Sequence, residues 1–217
     1  LCCNANGCIL EPMCGTGRFL LPLLEEGLDV HEFDASDHML QALHTKAGVR
    51  NLEAKVWKGF VEDLNCAIKY KLIFIPVGSF GLITDSAQAE LALKAIYNHL
   101  DEDGVFVFET ETLASVLQQG VWQGSVWLKP NGQKIISSSL TVMTGDICNI
   151  IGKYELVETN RIIHTEIEEY NLMIYEPDRL IRMLESVGFG CIRTVKAFTP
   201  SSSPSNQDES IVYECRK

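Results

Sequence analysis

Residues 8–19 read Cys8-Ile9-Leu10-Glu11-Pro12-Met13-Cys14-Gly15-Thr16-Gly17-Arg18-Phe19. An apolar run from 8 to 13 leads into a loop with glycine at 15 and 17. Residues 18–26 follow, where Phe19, Leu20, Leu23 and Leu24 recur at helical spacing. The pattern predicts a buried strand, a tight turn and an amphipathic helix stopped by Gly27. Pro22 is the awkward residue in that helix. Glycine at 15 and 17 lets the backbone turn sharply and approach a ligand with no side chain between them.

The same alternation continues outward. Strand-like runs at 29–34, 53–58, 72–77 and 105–109 are interleaved with helical segments at 36–47 and 85–100. Ser36 can cap the first of these helices, and Asp85 with Gln88 is spaced like a capping box for the second. Residues 121–173 break the rhythm. Long strand-like runs there are separated by turn formers at 130–132, 144–146 and 158–160, which predicts an antiparallel β insertion. A helix from Pro177 to the stop at Gly188 comes next, then strands near 191–198 and 211–215 joined by a polar connector at 201–206. The expected fold is α/β, a doubly wound, Rossmann-like, mostly parallel seven-stranded sheet with helices on both faces and an antiparallel insertion after strand five. The 217 residues suit a single domain.

Composition excludes several function classes. The net charge is −11, and the 18 basic residues are not clustered, so a nucleic-acid partner is not expected. No apolar run is long enough to span a bilayer, and a cytoplasmic protein is expected. The eight cysteines show no metal-type pair and fall mostly in predicted strands, reading as reduced structural thiols. His31, His38, His44, His99 and His164 lack ligand spacing, so no metal is expected. The chain opens on Leu1 almost at the first strand, and a further segment is expected upstream.

In open parallel sheets a ligand sits beyond the C-terminal strand ends. An acid, Asp34, ends the second strand 17 residues after Gly17, where an ionised carboxylate can accept from two vicinal ribose hydroxyls. Asp34 also reads as a turn acid capping the next helix. A nicotinamide dinucleotide would ask for a third glycine where Leu20 stands. Glu11, read as lying at the loop entrance, would repel a pyrophosphate and suit a cationic ligand.

These residues resemble the class I S-adenosylmethionine-dependent methyltransferases, specifically small-molecule enzymes of the amino-sugar and glycine N-methyltransferase type. The resemblance covers about residues 8–198. It is carried by I-L-E-P-M-C-G-T-G-R-F, V-H-E-F-D-A-S-D-H-M-L, K-G-F-V-E-D-L, L-I-F-I-P-V-G-S-F and the strand-rich insertion. It implies S-adenosylmethionine as cofactor, with S-adenosylhomocysteine as product. Glu11, Gly15 and Gly17 would surround the methionine part, with Met13 narrowing its pocket, Asp34 would hold the ribose, Ala35 and Met39 would line the adenine side, and Val61 and Glu62 would flank the base edge. Arg18, Phe60, Val77 and Phe80 complete the implied set. Two positions depart from the pattern: Phe60 stands where an acid is common, and Met13 where glycine is common.

The acceptor side is less legible. In-line methyl transfer needs positioning more than an acid-base pair. A neutral amine can attack unaided, whereas a hydroxyl usually needs a base. Ser79, Phe80, Glu109 and Glu111 stand at the strand-four and strand-five ends. Of these, Glu109 reads either as an orienting carboxylate or as a loop-capping acid. Trp122, Trp127 and Tyr170 could form a lid over the acceptor or pack as sheet core. His164 could face the acceptor or lie exposed. A small-molecule acceptor, N-methylation ahead of O-methylation, and a homodimer are the expectations, with a non-catalytic cofactor-binding subunit as the alternative.

Overall fold

The structure, a computed structural model, describes residues 7–116, 118–199, 201–205 and 207–217. Strand β1 (Ile9–Pro12) is buried along its whole length, as a strand covered on both faces should be. It is followed by α1 (Leu20–Glu25), β2 (Val30–Asp34), α2 (Asp37–Val49), β3 (Lys55–Lys58), β4 (Tyr70–Ile75), α3 (Ser86–His99) and β5 (Leu100–Glu111). The insertion contains β6 (Gln123–Leu128), β7 (Lys134–Thr144), β8 (Ile147–Glu158) and β9 (Arg161–Met173). Helix α4 (Pro177–Val187) and strands β10 (Ile192–Lys196) and β11 (Ser210–Arg216) complete the order.

The main sheet runs β10-β11-β5-β4-β1-β2-β3, and the insertion forms its own sheet, β6-β7-β8-β9. Strands β1 to β5 are parallel, while β11 is antiparallel to both β5 and β10. This is the expected architecture. One face of the main sheet presents Leu10, Phe33, Ile73 and Ile75 to Ala89, Leu93 and Ile96 of α3 and to Leu180 and Leu184 of α4. The other presents Ile9, Val30, Leu72 and Phe74 to Leu20 of α1 and to Leu40 and Leu43 of α2. Each such aliphatic contributes about 1.5–3 kcal/mol when fully buried, so these contacts fix the layers. Among the described residues no helix is long and apolar enough to cross a membrane.

Local differences from the sequence expectations have local causes. Pro22 is the third residue of α1, in the first turn, where backbone N–H groups have no intrahelical partner and none is lost. Strand β5 runs beyond 105–109 at both ends: Leu100 pairs with Tyr70 of β4 at its start, and β11 pairs with it as far as Ser210 opposite Glu111 at its end. The connector at 201–206 is tied down where it is described: the backbone N–H of Ser205 donates to Asp208 at 2.7 Å. Asn206 itself lies outside the described residues. Of the described cysteines, all free, only Cys148 and Cys215 lie in strands. Cys2 and Cys3 lie outside the described residues.

Candidate functional site

Strand β1 pairs with β2 on one side and β4 on the other, so the chain order reverses there and the loops beyond these strands splay apart. A cavity of about 810 Å³ opens between them. It is lined by Met13 and Gly15 after β1, Asp34, Ala35, Ser36 and Met39 after β2, and Gly59, Phe60, Val61 and Glu62 after β3. Ser79, Leu82 and Ile83 after β4, together with Gln88 of α3, close it. That volume suits a ligand of nucleoside size.

Asp34 is the fixed polar point. Its Oδ2 accepts from the Gly15 N–H at 2.8 Å and its Oδ1 from the Ser36 N–H at 2.8 Å. Each oxygen keeps a further lone pair, so Asp34 ties two loops together and still offers acceptors to the cavity, while the cap of α2 is Ser36. Gly15 has φ +56° and open space where a Cβ would be, which leaves the loop backbone accessible. Met13 adopts φ +59°, a conformation that glycine takes without penalty and that costs an L-residue about 1–2 kcal/mol. The departure from glycine noted at Met13 is therefore a strained backbone that sends a thioether to the cavity wall. Leu82, Ile83, Phe60 and Val61 supply apolar walls, and no Lys or Arg lines the cavity. The donor set fits a ribose-bearing, phosphate-free ligand.

Several predicted site residues stand elsewhere. Gly17 does not line the cavity: with φ +74°, a Cβ there would come within 2.9 Å of Leu43 Cγ, so this glycine lets the loop pack on α2. Phe80 is fully buried, its ring 5.2 Å from Phe108 and 5.5 Å from Tyr175, and belongs to the core. Arg18 is exposed, with its guanidinium over the Phe19 ring. Val77 is outside the lining; its left-handed backbone (φ +56°) is held by an N–H bond to Glu109 Oε2 at 3.0 Å.

Glu11 is 1% exposed and stands directly opposite Glu32 in the β1–β2 register, facing the α1 and α2 side of the sheet. Its charge therefore does not guard the loop entrance. The absence of basic residues in the lining, not Glu11, is what disfavours a pyrophosphate. Burial pushes both carboxyls well above the usual range, Glu32 further because Glu11 adds its own charge.

On the acceptor side, Glu109 spends both oxygens on the protein, Oε2 on Val77 and Oε1 on the Ser210 hydroxyl, so it acts as the loop-capping acid. Glu111, two residues on, has Oε2 bonded by the Ser115 hydroxyl at 3.1 Å and lies against Gly78 in the loop after β4. Its charge acts on Tyr170, whose hydroxyl pKa is raised chiefly by burial and then by Tyr154, Glu168 and Glu111. Trp122 and Trp127 are half exposed, and neither reads as core. His164 pairs with Glu166 at 2.9 Å. It lies exposed on β9, eight residues from the buried Leu172, and does not line the cavity.

Ser36, Gly59, Leu82, Ile83 and Gln88 also line the cavity, although no ligand motif in the sequence marks them. Ser36 and Gln88 read as capping residues, and Ser36 does accept from Met39 N–H at 3.4 Å while lining the cavity. For Leu82 and Ile83 the available signal was position alone, in the loop after the switch-point strand.

Residues 9–104 match a family described as methyltransferase domain. No curated protein matches the chain by sequence. Among solved structures, an S-adenosylmethionine-dependent methyltransferase from Clostridium acetobutylicum superposes with a TM-score of 0.83 at 20% identity, over 96% of this chain and 83% of that one. A sugar N-methyltransferase from Streptoalloteichus gives 0.77 at 18% identity, covering 97% of this chain and 80% of that one. An amino pentose methyltransferase from Micromonospora echinaspora, with S-adenosylmethionine bound, gives 0.79 at 14% identity, covering 99% and 84%. At these identities the likeness is one of fold.

Proposed function

From the match of residues 9–104 to a methyltransferase-domain family and the likeness in fold to an S-adenosylmethionine-dependent methyltransferase, we propose that this chain binds S-adenosylmethionine and transfers its methyl group to a small-molecule amine. The observation that carries the reading is the Asp34 carboxylate, oriented by the Gly15 and Ser36 amides in the wall of a cavity that no Lys or Arg lines. Asp34 holds the ribose hydroxyls, and Gly15 gives the amino-acid part room. Met39, Phe60, Val61 and Leu82 enclose the base, and Glu62 and Gln88 are available to its polar edge. The bound cofactor supplies an electrophilic methyl on a sulfonium.

Amine acceptors are favoured over hydroxyls by the charge on the acceptor side. Glu111, at the end of β5 and against Gly78 in the loop after β4, has only the Ser115 hydroxyl on its carboxylate among the described residues, so it can orient an ammonium group without serving as a strong base. The overall charge of −11 draws in cations. The sugar N-methyltransferase among the structural neighbours supports the same preference. The test is transfer of a labelled methyl group from S-adenosylmethionine to a panel of amines and matched alcohols. Label on amines is expected, with Glu111→Gln raising the acceptor KM about tenfold, as loss of a charge-assisted bond should, and leaving cofactor affinity unchanged. Label on alcohols alone would overturn the N-methylation preference. Cofactor binding without transfer to any acceptor would favour a non-catalytic subunit.

The insertion sheet favours a second copy as partner. One of its faces carries Val126, Leu128, Ile136, Leu140, Ile151 and Ile167, with Val126, Leu128 and Ile167 more than half exposed. Four strands of about eleven residues cover roughly 700 Å², close to the ~800 Å² per partner of a stable interface. Sedimentation equilibrium should give a dimer that Ile151→Lys with Leu140→Lys converts to monomer; a monomeric parent protein would exclude it.

A further inference from the structure

Three metal-ligating side chains meet at the end of the main sheet opposite the cavity. Cys8 immediately precedes β1, Asp29 immediately precedes β2, and His31 is the second residue of β2. Their thiol, carboxylate and imidazole ligand atoms all lie within 4.8 Å of one another. We propose that Cys8, Asp29 and His31 form a binding site for a divalent transition metal, zinc being the best match to one sulfur, one oxygen and one nitrogen donor.

The backbone holds the ligands in place. Ile9 N–H donates to the Asp29 carbonyl at 3.0 Å, so the residues that carry the thiol and the carboxylate are locked side by side at the start of the β1–β2 ladder. His31 is oriented from behind. Its Nδ1 is 3.2 Å from the Tyr70 hydroxyl, and its ring is packed edge-on against Tyr70 at 5.7 Å and Trp57 at 6.5 Å. That leaves Nε2 directed at Asp29, 3.8 Å from Oδ1, with only 13% of the side chain exposed. A hydrogen bond to the non-ligating nitrogen is the usual means of fixing a ligating imidazole. Tyr70 is itself in contact with Cys66 Sγ at 3.7 Å, so the support continues into the core.

A cation already attends this cluster. Lys55 Nζ is 2.6 Å from Asp29 Oδ1, on a side chain that is 60% exposed. Exposed pairs of this kind are weak, and the lysine can swing into solvent when a dication arrives. On binding, the Cys8 thiol releases its proton to solvent as the sulfur–metal bond forms, and the imidazole coordinates as the neutral base. Thiolate, carboxylate and dication then sum to zero charge, with water completing the tetrahedron. A metal here ties β1 to β2 away from the cofactor pocket, so the site is structural.

The probe is Co2+ alone, titrated into the chelator-treated full chain. A saturable 1:1 thiolate-to-cobalt charge-transfer band with quenching of tryptophan fluorescence is expected. Cys8→Ser should abolish the band and His31→Ala should weaken binding at least tenfold. Lys55→Ala, an exposed change that leaves the fold intact, should tighten binding severalfold by removing the competing ammonium. No band, a band that survives Cys8→Ser, or an affinity unmoved by Lys55→Ala would each overturn the assignment. None of these readouts depends on methyl transfer.

Discussion

Replacing Asp34 with alanine is expected to weaken S-adenosylmethionine binding at least tenfold. Two hydrogen bonds from ribose hydroxyls to an ionised carboxylate are worth about 1.5–3 kcal/mol each when well shielded. The open cavity mouth reduces that, and tenfold corresponds to about 1.4 kcal/mol. Asp34→Ala also removes the acceptors of the Gly15 and Ser36 amides, leaving the Cys14 N–H bond to the Phe33 carbonyl to tie the loop after β1 to β2. Asp34→Asn separates the two contributions, since its amide oxygen still serves one backbone N–H while its NH2 cannot accept. Calorimetric titration should rank the proteins wild type, Asn, Ala in falling affinity, with thermal unfolding showing a smaller spread. Affinity within twofold of wild type for Asp34→Ala would remove the cofactor assignment.

The second large effect is on stability and comes from the Glu11–Glu32 pair. These side chains face each other across the β1–β2 ladder at 1% and 0% exposure, and Glu11 Oε2 and both oxygens of Glu32 find no hydrogen-bond donor. Two adjacent carboxylates in an apolar layer cannot both ionise readily, so the folded pair retains a proton well above the usual carboxylate range. Both pKa values are raised above those of the unfolded chain, so the folded state holds more protons. Stability is then fully present below the ordinary carboxylate range, near pH 4.3, and falls as pH rises through the raised folded values. The slope is about 1.4 kcal/mol per pH unit for each proton retained. Glu32→Gln keeps the shape, supplies a permanent N–H donor to Glu11 and removes the greater part of this dependence. Urea unfolding from pH 5 to 9 should show the variant gaining on the wild type as pH rises, with little difference at pH 5. Parallel pH profiles would mean the pair carries no shared proton.

The order of elements was legible because each element declares itself within a short window. Leu20, Leu23 and Leu24 repeat at helical spacing, the 72–77 run is apolar without alternation, and the three turn clusters of the insertion have the residues that turns require. Gly15 and Asp34 were legible for a related reason: a strand-to-helix loop and the acid that ends the next strand are local patterns, and the parallel fold places both at the same sheet end. Gly17 looked the same as Gly15, yet its closest neighbour is Leu43, 26 residues away on α2.

The chain by itself therefore determined the doubly wound sheet, the antiparallel insertion and the loop that lines the cavity, since periodicity and turn chemistry act over a few residues. Only the tertiary structure decided which carboxylates face each other, which acid is consumed by a loop, and that Cys8, Asp29 and His31 share one corner. Those outcomes depend on lateral register between strands far apart in sequence. Register is set by the packing of two helical layers onto both faces of the sheet, and no single segment carries it.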